Sequence, residues 1–348
     1  MLYHFIKGLK SHTSRVLVNV FITNRVQVTN NLLKFVNFGT KYFSMIDKNI
    51  IINAAQRVGF DLVGVVSADA LCEERKRFEQ WLLDGNHSTL TYLERNVEKR
   101  FDMRLLVEGA RSVIVCAVSY LSPYSRGYCE GCNTKIASYA LARDYHTTIK
   151  EMLHALAEEL KACNSQLRYR AFTDSAPVAE KSLAVRAGLG WIGRNSLLVN
   201  PKLGSMMHLG ELVIDDVVDR YDEPMSGVGC GSCRECIDSC PNSTILDNCT
   251  IDTRRCISCR TIEREGCDTA MTLDGWIFGC DACQSCCPFN RHAPLHANER
   301  FDPLFDPTAM DGAAWRAMSE EEFASIAGDT AMTRSGLERI KRNISDND

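Results

Sequence analysis

The feature that most constrains this chain is a run of four cysteines, Cys230, Cys233, Cys236 and Cys240, spaced C-x2-C-x2-C-x3-C with Pro241 next. Three thiolates in one tight loop reach three iron corners of a 4Fe–4S cubane, and the fourth points away toward a neighbouring cluster. Downstream, Cys280, Cys283 and Cys287 form C-x2-C-x3-C before Pro288, and Cys256 lies between the two runs. This spacing predicts two 4Fe–4S clusters with crossed ligation. Cys230, Cys233, Cys236 and Cys287 would hold the first, and Cys240, Cys256, Cys280 and Cys283 the second. The competing reading is a zinc ribbon with four thiolate ligands, which two crossed C-x3-C-P endings suit poorly.

Nine of the 17 cysteines remain. Cys249, Cys259 and Cys267 lie in the cysteine-rich segment and are expected to pack rather than ligate, and Cys286 is set aside as a ligand because only Cys287 precedes the proline. Cys72, Cys116 and Cys163 read as small core hydrophobes. Cys129 and Cys132 form a separate C-x-x-C, for which two thiols without further ligands make an incidental pair the simpler reading. A chain of 348 residues is too long for a small disulfide scaffold, and so many spare thiols imply a reducing compartment, the cytoplasm. No apolar stretch approaches the roughly 18 residues of a membrane span, so no membrane partner is expected.

Charge is unevenly spread. Residues 1–46 hold six Lys and Arg and no Asp or Glu, which leaves 34 basic against 44 acidic residues in the other 302, a net of −10. Residues 1–44 are therefore expected to be a dispensable leader or a start-site artefact, with a transit peptide as the alternative. The stretch IDKNIIINAAQRVGFDLVGVV then reads as helix, glycine turn and strand, a natural domain opening. Leu62–Ser67, Ser112–Tyr120, Arg168–Phe172 and Leu209–Ile214 are β-branched or apolar runs of strand length. Ile149, Leu153, Leu156 and Leu160 give Thr147–Cys163 a helical stripe. Pro177 is expected to open a helix that Gly188 closes. The tract DEPMSGVG marks a boundary. The expected domains are 45–222, 223–295 with both clusters, and 296–348, in which 310–343 reads as two short helices.

Asp174 follows a strand and precedes a helix, where α/β-type sheets place their chemistry. The same position suits a helix N-cap, and spacing alone does not separate the two readings.

Taken together, DSAPVAEKSLAVRAGLGWIGRNSLLV, CGSCRECIDSCPNSTI, RRCISCRTIE and FGCDACQSCCPFNR resemble the epoxyqueuosine reductases over roughly residues 48–340. That family is cobalamin- and iron–sulfur-dependent and related to the corrinoid reductive dehalogenases. The resemblance implies an α+β fold with an α/β-type cobalamin-binding catalytic domain, then a dicluster ferredoxin-like domain and a short helical C-terminus. It implies reduction of epoxyqueuosine to queuosine at the wobble position of tRNA, with electrons from a low-potential donor, by a monomer. Asp174 falls on the family's catalytic acid, which would need an apolar pocket to stay protonated near neutral pH. Arg100, Tyr139, Asp174, Leu198 and Ser258 fall on corrin contacts.

Departures from the family pattern are Ala142 in place of a glycine and the extra thiol Cys259. Asp144-Tyr145-His146 lacks the glycine of the D-x-H-x-x-G cobalamin motif, and the resemblance implies a corrin bound without a protein histidine ligand. The acidic body leaves phosphate contacts to local groups, with Arg143, Lys181, Arg186 and Arg194 as candidates. Two alternatives stay open: a dicluster electron carrier without catalysis, and a corrinoid reductase of another small epoxide or an organohalide.

Overall fold

A computed structural model of the protein describes residues 34–38, 41–263 and 271–347. The chain divides into Met1–Lys34 and Phe35–Asp348, and the fold below is that of the second unit. Most of the expected leader, and Cys267, lie outside the described residues. The expected opening at residue 45 falls inside a strand, Lys41–Ile46, which pairs in parallel with Val217–Val218 through Met45 and Ile46.

The centre is a four-stranded sheet of β1 (Leu62–Ser67), β2 (Ser112–Ser119), β3 (Tyr169–Phe172) and β4 (Met207–Ile214), in the order β1-β2-β4-β3. Every neighbouring pair is antiparallel. The architecture is therefore α+β, and the α/β-type reading of the catalytic part does not hold. Strands and helices alternate along the chain, but β1 to β2 and β3 to β4 reverse direction, and β2 and β3, which run the same way, are separated in the sheet by the antiparallel β4. The rule that places chemistry at parallel strand ends has no purchase here.

All eight residues of β2 are buried, because layers cover both faces. Ile114, Cys116 and Val118 face helices α1 (Lys48–Val58) and α2 (Tyr145–Lys161), while Val113 and Val115 face α3 (Glu180–Arg186). This is the alternation a pleated strand imposes. The α2 stripe is as expected, with Ile149, Leu153, Leu156 and Leu160 fully buried. Helix α3 begins at Glu180, three residues after Pro177, because residues 174–179 form a loop held by other contacts. Gly188 follows its end at φ +70°, a conformation that favours glycine.

The cysteine-rich segment is tied to the sheet domain by a parallel pairing of Trp276–Phe278 with Lys135–Ile136. Ile136 and Leu141 share one core with Ile277, Phe278, Trp315 and Ile340. The C-terminal stretch holds three helices rather than two: Gly312–Ala317, Glu320–Ala327 and Gly336–Ser345. A Ser319–Glu322 capping box restarts the chain after the first of these, and a 3-10 turn at Ala331–Arg334 separates the other two. Cys116 is buried, Cys163 half-buried and Cys72 exposed. Cys72 misses the core because it opens a helix, Cys72–Leu83, none of whose residues is buried. Among the described residues no helix is long and apolar enough to cross a membrane.

Gly210 shows how tightly α2 sits on the sheet. A Cβ there would lie 2.5 Å from Ile149 Cγ2 and 3.0 Å from Leu153 Cδ1. Gly210→Ala should destabilise the protein by about 1–3 kcal/mol, the usual range for overpacking, read as a lowered midpoint in chemical or thermal unfolding.

Candidate active site and cluster sites

Asp174 sits between β3 and α3 with φ +49°, a left-handed conformation that costs a residue other than glycine about 1–3 kcal/mol and must be held by its surroundings. Its backbone N–H donates to Glu180 Oε1 at 2.5 Å. Its carboxylate accepts from the Tyr145 hydroxyl and lies 3.5 Å from His146 Nε2. The other ring nitrogen of His146 meets Asp144 Oδ1 at 2.7 Å. The N-cap reading of Asp174 falls away: the N-cap of α3 is Ala179, and the Asp174 carboxylate is committed to α2.

These contacts set the protonation states. Burial raises the Asp174 carboxyl, but hydrogen bonds from His146 and Tyr145, with the charges of His146 and Arg334, outweigh it and hold the group below the usual carboxylate value. The expected apolar pocket with a raised Asp174 is therefore absent. The carboxylate is half exposed and faces donors that prefer its charged form. The proton sits next door. Hydrogen bonds to Asp144 and then to Asp174 push the His146 imidazole up to about 9 against the effect of burial. Asp174 and His146 thus share one proton across the neutral range. Tyr145 and His146 were visible in the sequence only as a motif missing its glycine. The overlooked signal is Asp144 as the N-cap of α2, its side chain accepting from the His146 N–H, which fixes both residues on the first turn.

An aromatic floor supports the pair. Tyr145 lies flat on His208, at 4.4 Å and 8°, and on His146, at 4.1 Å and 29°. Burial drops His208 to about 3, so it packs as a neutral ring. Tyr139 stands edge-on to Tyr145 and tilts against Phe278, two residues before Cys280. Arg100 has Tyr92, Glu180 and Asp174 as its electrostatic neighbours, and its carbonyl accepts from the Ala179 N–H at 3.0 Å. The structure thus brings Arg100, Tyr139 and Asp174 together. Leu198 is packed in the core under α3 and can offer only its backbone. Ser258 belongs to the cluster side, where the N–H groups of Ser258 and Cys259 point at the Cys256 sulfur.

Four thiols, Cys230, Cys233, Cys236 and Cys287, line one cavity with Pro288, Phe289, Val199, Asn195 and Arg194. Cys286 does not line it, although it lies close enough to Cys236 to disfavour a second thiolate there. Cys240, Cys256, Cys280 and Cys283 form the second group, in which Cys283 feels the other three. Burial above all pushes the Cys236, Cys256, Cys280, Cys283 and Cys287 thiols up, Cys236 to about 11. Buried thiols crowded in this way ionise only with cations among them, so the donor sets fit metal clusters.

The four basic candidates are all engaged. Arg143 makes a two-pronged pair with Glu151, Lys181 donates to the Ser196 carbonyl, Arg186 to those of Asp69 and Ala70, and Arg194 to that of Gly231. Intramolecular demands explain these charges before any phosphate does.

In an NMR pH titration His146 should change charge near 9. Asp144→Asn should bring that value down toward the ordinary imidazole range. Because the folded value lies above the unfolded one, the stability this group contributes is complete below about pH 6.5 and is lost as pH rises through about 9.

Comparison with known proteins follows the same division of the chain. A family model described as "Epoxyqueuosine reductase QueG, DUF1730" matches residues 100–175, and one described as "4Fe-4S double cluster binding domain" matches residues 229–290. The epoxyqueuosine reductase of Cyclobacterium marinum is 39% identical over 307 residues, covering 86% of this chain and 97% of that protein. That of Escherichia coli is 36% identical over 296 residues, covering 82% and 76%. A crystal structure of epoxyqueuosine reductase with an epoxyqueuosine-modified tRNA stem loop superimposes with a TM-score of 0.76 at 26% identity, over 86% of this chain and 80% of that one. The enzyme from Streptococcus thermophilus gives 0.75 at 26% identity.

Proposed function

The chain belongs to the epoxyqueuosine reductase family, and from that premise we propose that it reduces epoxyqueuosine to queuosine at the wobble position of tRNA. Two electrons and two protons remove the epoxide oxygen as water and leave a carbon–carbon double bond. The observation that carries this reading is the Asp174–His146 pair, a proton donor that the ring contacts of Tyr145, Tyr139 and Phe278 connect to the cysteine-rich segment. A bare electron carrier has no use for such a pair.

The first 4Fe–4S cluster is held by Cys230, Cys233, Cys236 and Cys287, and the second by Cys240, Cys256, Cys280 and Cys283. Cobalamin is held against Arg100, Tyr139, Asp174, Leu198 through its backbone, and Ser258. One observation supports a ligand of that chemistry: Arg100 Nε is buried without a hydrogen-bond partner among the described residues, and the corrin periphery carries amide oxygens that can accept from it. When bound, these cofactors supply low-potential electrons and the chemistry that opens the carbon–oxygen bond.

The residues of the chain manage the proton. His146 passes its proton to the Asp174 carboxylate 3.5 Å away, and Asp174 hands it to the departing oxygen. Tyr145 fixes the Asp174 carboxylate by donating its hydroxyl hydrogen, and Asp144 keeps His146 oriented and charged. The enzyme works as a monomer in the cytoplasm, where its tRNA is found, and draws electrons from a low-potential donor.

Anaerobic protein reconstituted with iron, sulfide and cobalamin should, with a strong reductant, convert the epoxyqueuosine of tRNA to queuosine, seen by mass spectrometry of the nucleosides as loss of one oxygen. No conversion despite intact clusters and bound cobalamin would overturn the substrate assignment. Asp174→Asn should lower turnover by about 100-fold or more without changing iron or cobalt content. Turnover of the unaltered enzyme should fall as pH rises through about 9, where His146 loses its proton. Cys287→Ser should remove the signal of one cluster, and Cys286→Ser should remove neither.

A further inference from the structure

One buried ionisable group plays no part in this scheme. Glu211 lies in the middle of β4, with Val115 and Phe172 as its register partners on the flanking strands, and it is 0% exposed. Neither of its carboxyl oxygens meets a hydrogen-bond donor among the described residues. A carboxylate in that position would leave a charge and several lone pairs without compensation in an apolar layer, which is far costlier than keeping its proton.

Its neighbour is the carboxyl of Glu180, within hydrogen-bond reach. Two carboxyls can bond to each other only if one of them carries a proton. The other side of Glu180 is committed, since its Oε1 accepts the Asp174 N–H at 2.5 Å. A chain of contacts therefore runs from the sheet interior to the reacting loop: Glu211 to Glu180, and Glu180 to the backbone of Asp174. The second of these contacts helps keep Asp174 left-handed and its carboxylate turned toward Tyr145 and His146.

We propose that Glu211 is a positioning residue that holds a proton at neutral pH and uses it to fix the Glu180 carboxyl as the acceptor for the Asp174 backbone. The role rests on the reading of Asp174 as the catalytic acid, but the shared proton does not. The charged and titratable groups facing the pair are Asp174 on the loop, His146 and Tyr145 on α2, Lys181 on α3, Arg100 on the helix Val97–Phe101, and Cys116 on β2. None of the cations among them reaches a Glu211 oxygen. Burial, with the neighbouring carboxylates, raises both glutamates above their ordinary value, the direction the geometry demands. The stability the pair contributes is therefore complete below the ordinary glutamate range and is lost as pH rises through the raised values.

The test compares the full-length holoenzyme with Glu211→Gln and Glu211→Leu. Infrared spectra of protein carrying 13C-labelled glutamate should show a protonated carboxyl band at pH 7 that is missing in Glu211→Gln. A spectrum without that band, or a band that Glu211→Gln retains, overturns the proposal, whatever the enzyme's substrate proves to be. In turnover of tRNA, Glu211→Gln can still donate to Glu180 and should keep kcat within a few-fold. Glu211→Leu cannot, and should lower kcat about 10- to 100-fold with KM little changed, the loss expected when a charged group forfeits its hydrogen bond. Equal kcat in Glu211→Gln and Glu211→Leu would also overturn it. If the unaltered enzyme fails to act on the tRNA, the functional reading fails and the infrared comparison alone decides the proton on Glu211.

Discussion

The arrangement depends on one buried clamp between distant parts of the chain. The backbone N–H and hydroxyl of Ser138 both donate to Asp281 Oδ2 at 2.7 Å, in a place where Asp281 is only 2% exposed. Asp281 stands beside Cys280, and Ser138 precedes Tyr139, which packs on Tyr145. The contact thus fixes the second thiol group against the wall that carries the proton pair. Breaking it would strand a buried carboxylate, which keeps the two halves in one register. The pairing of Trp276–Phe278 with Lys135–Ile136 runs alongside, and Ala137 leaves so little room that a Cβ on Gly279 would lie 2.4 Å from its methyl group. Electron-carrying and proton-carrying groups can work together only if such distances do not drift.

The second principle of the site is division of labour among titratable groups. Burial alone would protonate Asp174, Glu180 and Glu211 together and would neutralise His146. The hydrogen bonds sort them. Asp174 receives donors and stays charged, His146 gains acceptors on both ring nitrogens and keeps its proton, and Glu211 has only Glu180. A carboxylate and an imidazolium in contact store a proton without requiring an apolar pocket. The Asp174 carboxylate can therefore stay half exposed.

The strained backbone at Asp174 belongs to the same design. A left-handed residue other than glycine persists only where the surroundings dictate it, and here Glu180, Tyr145 and His146 do so from two different helices. The loop displaces the start of α3 from Pro177 to Glu180, and this is why the proline signal misplaced that helix. The acidic body and the internally committed arginines point the same way: charge in this chain is used first to hold its own loops.

The iron–sulfur chemistry was legible in the sequence, because ligand spacing is local and Cys230, Cys233 and Cys236 lie within seven residues ahead of a C-x3-C-P ending. The sequence by itself also determined the strands and α2, whose apolar periods survive in the fold with Ile149, Leu153, Leu156 and Leu160 all buried. Asp174 was legible through its motif. Its charge state was not, because that depends on Tyr145 and His146, nearly thirty residues away and brought close only by the packing of α2 on the sheet. The direction of the strands was hidden for a similar reason: alternation along a chain does not say which way each crossover turns. Glu211 was the least visible, since nothing in the run Leu209–Ile214 says which way its one acidic residue faces. Only the tertiary structure, by covering both faces of the sheet, turned it inward and left its proton nowhere else to go.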